Sequence, residues 1–366
     1  MTDNKKMTVP GSSVGADVEQ PLCNNSEIIT DFTGNGNPQN KNNNTLQTIS
    51  MTELYDTAYP PKLPVIDGLL YNGTYLFVGA PKIGKSFLMA QIGYHISKGL
   101  PLWDYTVQQG TVLYLALEDD YARLQKRLSK MFGIEDSENF YFATQSKLLC
   151  EGLEQQLIKF IAEHKDTRLV IVDTLQKIRE TGNGKSSYAS DYDIVTRLKS
   201  FSDTYGICLL LVHHTRKMES SDSFDMISGT NGLMGASDGA FVMQKEKRTA
   251  NKAELEIAGR DQQDQKLWLD FNREKCIWEL TRTETELWKE PADPLLEKMA
   301  GLVTEEHPEW NGTASELVNL LHLEIQPNIL TRKLNICIEK LFVDYGIQYE
   351  TKRGHNSKII HLVLAK

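Results

Sequence analysis

From residue 51 onward the chain alternates short apolar runs with stretches whose apolar residues recur every three to four positions. That is the pattern of buried parallel strands joined by helices that lie on the sheet. The run 74–78 predicts a first strand, and 86–97, with Leu88, Ile92 and Ile96 on one stripe, predicts its helix. A strand over 111–116, a helix over 121–132, a short strand near Phe140, a helix over 151–164, a strand over 169–172, a helix over 191–205 and a strand over 207–212 follow. Repeated units of this kind give a three-layer α/β fold around a mostly parallel sheet. The next four runs, 239–244, 253–258, 267–271 and 276–280, are closely spaced with tight connections. They read as antiparallel strands extending one edge.

Both ends of the chain depart from this rhythm. Residues 1–50 hold nine Asn, no Trp or Tyr and only Phe32 as an aromatic, too little apolar surface to offset the entropy of ordering them. A disordered tail is expected there, followed by a nucleotide-binding domain over 51–285. Charged residues with Pro291 and Pro294 mark a linker over 286–294. Residues 295–366 read as three helices and then two strands in a hairpin, with Thr313 and Glu316 spaced as a capping box. That order predicts a small winged-helix-like module.

Composition narrows the class. Lys and Arg total 40 against 49 Asp and Glu, a net charge of -9, which argues against a protein that coats nucleic acid over its whole surface but leaves room for a local basic loop. The longest apolar runs fall far short of a bilayer's span of roughly 20 residues, and the N-terminus lacks a secretory pattern, so a cytoplasmic location away from membranes is expected. Cys23, Cys150, Cys208, Cys276 and Cys337 are scattered without a C-x-x-C pair and read as thiols.

The candidate chemistry begins between the first strand and its helix. Gly79-Ala80-Pro81-Lys82-Ile83-Gly84-Lys85-Ser86 fits G-x-x-x-x-G-K-[ST], a loop whose backbone N–H groups cradle phosphates while the lysine reaches the β and γ oxygens and the hydroxyl binds Mg²⁺. ATP and Mg²⁺ are the implied cofactors, and Phe87 completes the candidate binding segment. Asp173 stands at the tip of the strand over 169–172, where ligands of open α/β sheets bind, and is a candidate Mg²⁺ acid with Ser86. Thr174 follows it, so the base that orients the attacking water must come from another strand. The strand over 111–116, expected beside the phosphate-loop strand, runs into Glu118-Asp119-Asp120. Glu118 is the candidate base, with an acidic helix cap as the alternative reading of this cluster. The strand over 207–212 issues into His213-His214-Thr215-Arg216-Lys217, of which one can sense a γ-phosphate. The Gly-rich loop beyond, through Ser228-Gly229-Thr230-Asn231-Gly232, is a place to grip a polymer by basic side chains and backbone N–H groups. Arg260, between two edge strands, is either an arginine finger for a neighbouring subunit or a surface partner of Asp261 or Asp264.

Over 61–280, about three fifths of the chain, these residues resemble the RepA-like branch of RecA-type ATPases, a family of hexameric replicative helicases found in plasmids, phages and mobile elements. The resemblance rests on the phosphate loop, on Tyr114-Leu115-Ala116-Leu117-Glu118-Asp119, on Val170-Ile171-Val172-Asp173-Thr174 and on Leu211-Val212-His213-His214-Thr215-Arg216-Lys217. It implies that Lys85 and Ser86 bind nucleotide and metal, Glu118 is the catalytic base, Asp173 the Mg²⁺-site acid, His214 the γ-phosphate sensor and Arg260 the intersubunit finger. It also implies a hexamer acting on single-stranded DNA. The chain departs from a DNA-gripping pattern at Glu219, Asp222 and Asp225, and acids slightly outnumber bases in the C-terminal module, which suits duplex DNA or a protein partner. A switch that regulates recombination or transcription without translocating is the alternative, and a signalling ATPase a third.

Overall fold

The computed structural model describes residues 46, 48–59, 62–179, 187–214, 224, 231–247, 249–260, 262–284, 291–353 and 358–365. Most of the expected tail, Thr215 to Lys217, the acidic positions 219, 222 and 225, Ser228 to Thr230, Asp261 and the first part of the expected linker lie outside them.

The chain opens with α1 (Met51–Asp56), whose start is a capping box between Ser50 and Glu53, so the last residues of the expected tail belong to a helix. Then come β1 (Pro64–Ile66), β2 (Leu70–Tyr71), β3 (Gly73–Gly79), α2 (Lys85–Lys98), β4 (Thr111–Ala116), α3 (Tyr121–Phe132), β5 (Phe140–Ala143), α4 (Leu153–Glu163), β6 (Thr167–Asp173), α5 (Ser187–Tyr205) and β7 (Cys208–His214). The core closes with α6 (Asn231–Ala236), β8 (Gly239–Gln244), β9 (Lys252–Gly259), β10 (Gln265–Asn272) and β11 (Ile277–Thr283). The helix expected over 151–164 is a 3-10 turn at Leu149–Glu151 and then α4, because Gly152 between them takes φ 116°.

Among the described residues, nine strands form one sheet in the order β11-β10-β9-β8-β3-β7-β6-β4-β5. Strands β8 through β5 in that order run parallel. Alternate residues face opposite sides: Tyr75 and Phe77 pack with α2 and α3, while Leu76 and Val78 pack with α4 and α5. Both faces are covered, which is why these strands read as unbroken apolar runs. Two expectations are corrected. The run 239–244 is parallel to β3, and only β9, β10 and β11 are antiparallel. Their period-2 burial, with Ala253, Leu255 and Ile257 inward, belongs to a sheet covered on one face, whereas β8 is buried along most of its length. Nor does β4 lie beside β3, since β7 and β6 stand between them.

The antiparallel edge curls around α2. Trp278 of β11 donates its backbone N–H to Gln91 Oε1 at 2.8 Å and accepts from Gln91 Nε2 at 2.9 Å. The far edge of the sheet thereby touches the helix that follows the phosphate loop.

The C-terminal module has its own core around Leu296, Met299, Leu317, Leu330, Leu334, Leu341 and Leu362. It runs α7 (Pro294–Ala300), β12 (Glu309–Thr313), α8 (Ala314–Leu320), α9 (Pro327–Ile336), α10 (Ile338–Tyr345), β13 (Ile347–Arg353) and β14 (Lys358–Leu364). The capping box at Thr313 and Glu316 forms as expected. The two-strand hairpin is a three-stranded sheet, because β12 pairs with β14. Helix α1, which the chain order assigns to the nucleotide-binding domain, packs on this module. Arg332 Nε donates to Asp56 Oδ1 at 2.7 Å, Asn335 Nδ2 to the Tyr55 carbonyl at 2.9 Å and Lys358 Nζ to the Asp56 carbonyl at 2.9 Å.

Candidate functional site

Strand β3 ends at Gly79, and the chain turns through Ala80, Pro81, Lys82 and Ile83 to Gly84 before α2 begins at Lys85. The turn needs its glycines. A Cβ on Gly79 would stand 2.7 Å from the Met243 carbonyl, and Gly84 has φ 103° with room for a Cβ only 2.9 Å from the Trp278 ring. Trp278 Nε1 also donates to the Gly84 carbonyl at 3.2 Å, bracing the loop from the curled edge.

Lys85 is buried. Its ammonium donates to the carbonyls of Gly79 at 2.7 Å and Ala80 at 3.0 Å, and lies 3.1 Å from His214 Nδ1 at the end of β7. Ser86 Oγ donates to Asp173 Oδ2 at 2.7 Å, and the buried Tyr114 hydroxyl donates to the same oxygen at 2.8 Å. Glu118, just past β4, accepts from Thr174 Oγ1 at 3.3 Å. Although β4 is not next to β3, the ends of β3, β4, β6 and β7 open on one cleft of about 380 Å³, lined by Lys85, Ser86, Phe87, Glu118, Asp173 and His214.

The acidic cluster after β4 divides its tasks. Asp120 caps α3 by accepting from the Arg123 N–H at 2.8 Å, and Asp119 pairs with Arg127 at 2.7 Å and Arg123 at 3.3 Å. Glu118 alone of the three bonds to the strand end at Thr174. Phe87 packs edge-on against Phe271, with the Arg127 guanidinium 5.2 Å above its ring. Arg260 is elsewhere. It follows β9, whose Gly259 pairs with Gly239, itself level with Tyr75 near the start of β3, so the length of a seven-residue strand, about 20 Å, separates it from its own phosphate loop. Its guanidinium donates to the Gly235 carbonyl at 2.8 Å and its side chain is exposed.

The electrostatics follow from burial. Burial pushes the Lys85 ammonium down from its usual value to about 8, while Asp173 and Glu118 pull it back up. Burial, and then the neighbouring Lys85 charge, lowers His214, so a neutral imidazole accepts a hydrogen bond from the lysine. Burial and the Asp173 charge push the Tyr114 hydroxyl up, keeping it a donor. The lowered Lys85 sets a sign. The fold holds this proton less tightly than the unfolded chain does, so the cost is fully present below pH 8 and is relieved as pH rises from about 8 toward the unfolded value of 10.5. Lys85→Met is therefore expected to raise the melting temperature of the nucleotide-free protein at pH 7 and to flatten the rise seen between about pH 8 and 10. Equal slopes in melting scans of the two proteins would contradict the burial argument.

The residues fit a nucleoside triphosphate with Mg²⁺. A cation, a hydroxyl, two carboxylates and the N-terminus of a 14-residue helix converge on one cleft. Among the described residues no group of three or more His, Cys, Asp and Glu side chains could hold a metal. Mg²⁺ held through one or two side chains and substrate phosphates needs none. Sequence reasoning passed over Tyr114 and Arg127. The signal for Tyr114 was a phenol inside the apolar strand β4, since a buried tyrosine hydroxyl needs a partner.

Fold and site together define the class: a P-loop nucleotide-binding core of the RecA type, bearing a winged-helix-like module. The family model described as an AAA domain matches residues 43–220. No curated protein sequence matches the chain significantly. Among solved structures, an ATPase domain crystallised on its own account is similar at 15% identity and TM-score 0.48, covering 58% of this chain and 85% of that one. A DnaB-like replicative helicase, described with its interactions with primase, is similar at 14% identity and TM-score 0.48 over 57% of each chain. The KaiC-like protein PH0186 from Pyrococcus horikoshii OT3 is similar at 12% identity and TM-score 0.45, over 62% of this chain and 99% of that one. No helix among the described residues is long and apolar enough to cross a membrane.

Proposed function

We propose that this chain is an ATP-hydrolysing ring protein, a hexamer, that acts on single-stranded DNA during replication of a plasmid, phage or mobile element. The observation that carries the reading is the convergence of Lys85, Ser86, Glu118, Asp173 and His214 on one cleft while Arg260 stands at the opposite end of the sheet. An arginine so placed cannot serve its own cleft and is free to serve that of another copy. The AAA-domain match and the resemblance of the four motif segments point the same way.

In this reading Lys85 and the loop backbone neutralise and orient the β and γ phosphates, and His214, already against Lys85, senses whether the γ-phosphate is present. Ser86 and Asp173 would hold Mg²⁺, which supplies charge neutralisation between the phosphates. Glu118 accepts the proton of the attacking water, held toward the strand end by Thr174. Arg260 of a neighbouring copy stabilises the charge that develops on the γ-phosphate.

A second reading is favoured by the winged-helix-like module: a duplex-binding switch that regulates recombination or transcription without moving along DNA. ATP turnover measured alone, with single-stranded DNA and with duplex separates them. Stimulation of several-fold by single strands is expected. Stimulation by duplex alone selects the switch, and indifference to both overturns a nucleic-acid function.

A further inference from the structure

The apolar strand β4 carries one phenol in a wholly buried position, that of Tyr114. Phenylalanine would fill the same space, and a buried hydroxyl costs stability unless it finds a partner. Its partner is not a backbone group. It is Oδ2 of Asp173, the oxygen that also accepts from Ser86 of the phosphate loop.

The ring has little freedom. Strand β4 pairs with β6 so that Tyr114 lies level with Ile171 and Ala116 with Asp173, and the phenol reaches along the strand direction to the carboxylate at the tip. Phe142 packs against the ring with centroids 6.0 Å apart. Ser86 stands in the first turn of α2, where its hydroxyl must turn to suit an arriving ligand, whereas Tyr114 sits in the middle of the sheet. Of the two donors on Asp173, it is the one fixed by the core.

From this geometry we infer that Tyr114 is a positioning residue for Mg²⁺, holding the Asp173 carboxylate at the place where Ser86 and the metal meet it. The inference rests on the reading of Asp173 as the metal-site acid. Mg²⁺ demands near-ideal octahedral geometry, and partners that orient a metal's carboxylate typically change metal affinity by about 10–100-fold when removed. A core tyrosine that merely satisfies its hydroxyl would affect stability instead and leave the metal dependence alone.

The test is Tyr114→Phe in the full chain, with Asp173→Asn beside it. Binding of a fluorescent ATP analogue is titrated with MgCl₂, each protein being referenced to its own binding in EDTA, and melting temperature is recorded with ATP in EDTA and in Mg²⁺. For Tyr114→Phe the Mg²⁺ midpoint is expected to rise roughly tenfold, and the extra melting temperature contributed by Mg²⁺ to shrink. Because both readings are differences within one protein, a general loss of stability does not imitate them. An unchanged midpoint in Tyr114→Phe, with Asp173→Asn insensitive to Mg²⁺, overturns the positioning role alone. If the unaltered protein binds the analogue equally with and without Mg²⁺, the metal-site reading of Asp173 fails first.

Discussion

Glu118→Gln is expected to keep ATP bound and to lose turnover by about 10²–10⁴-fold, the usual worth of a positioned general base. The amide preserves the shape of the side chain and its contact with Thr174 Oγ1, and removes only the capacity to accept a proton. Phosphate release and nucleotide affinity, measured on the same preparation, check it. The neighbouring acids make the control informative. Asp119 is held between Arg127 and Arg123, and Asp120 caps α3, so Asp119→Asn is expected to loosen the start of that helix with little direct effect on chemistry. Should Asp119→Asn arrest turnover while Glu118→Gln does not, the base has been assigned one residue too early.

Mixing two inactive proteins is expected to restore activity. Arg260→Ala leaves its own cleft intact and removes the side chain offered to another copy, a loss of about 10³–10⁵-fold where an arginine finger is at work. Lys85→Ala destroys its own cleft, because the buried ammonium against Gly79, Ala80 and His214 is the cation of the phosphate loop, and leaves Arg260 in place. Co-assembled rings contain interfaces pairing a good cleft with a good arginine, so part of the turnover absent from either protein alone returns. The geometry narrows what failure means. With about 20 Å of strand between Arg260 and its own phosphate loop, action within one chain is not available. A mixture that co-assembles by sizing yet stays inactive leaves Arg260 only its bond to the Gly235 carbonyl, a structural role, and ends the shared-site model.

What the sequence disclosed tracks how local each feature is. The phosphate loop is one contiguous segment whose work is done by backbone, so its spacing was sufficient. Glu118, Asp173 and His214 were legible as the first polar residues after apolar strands. Their meeting was not, because it depends on the order β3-β7-β6-β4, and the expected adjacency of β4 to β3 was wrong. Strand β12 was missed because Trp310, Asn311 and Gly312 give no alternation, and its pairing with β14 is set by the module's core. The run 239–244 was read with its antiparallel successors because apolar content alone does not reveal strand direction. Tyr114 was hidden in a run that reads as core, although its hydroxyl was the one atom there that required an explanation.

The seating of α1 on the C-terminal module bears on how this architecture is inherited. The helix precedes the nucleotide-binding core in the chain, while Arg332, Asn335 and Lys358, which hold it, follow that core. Sequence shuffled at the boundary between core and module would part a helix from its seat, so the module is not a cassette that can be gained or lost at one junction. A relative that lacks the module is expected to lack the Ser50–Asp56 segment as well, and one that acquired the module from elsewhere to have acquired both pieces, at two separate points in its gene.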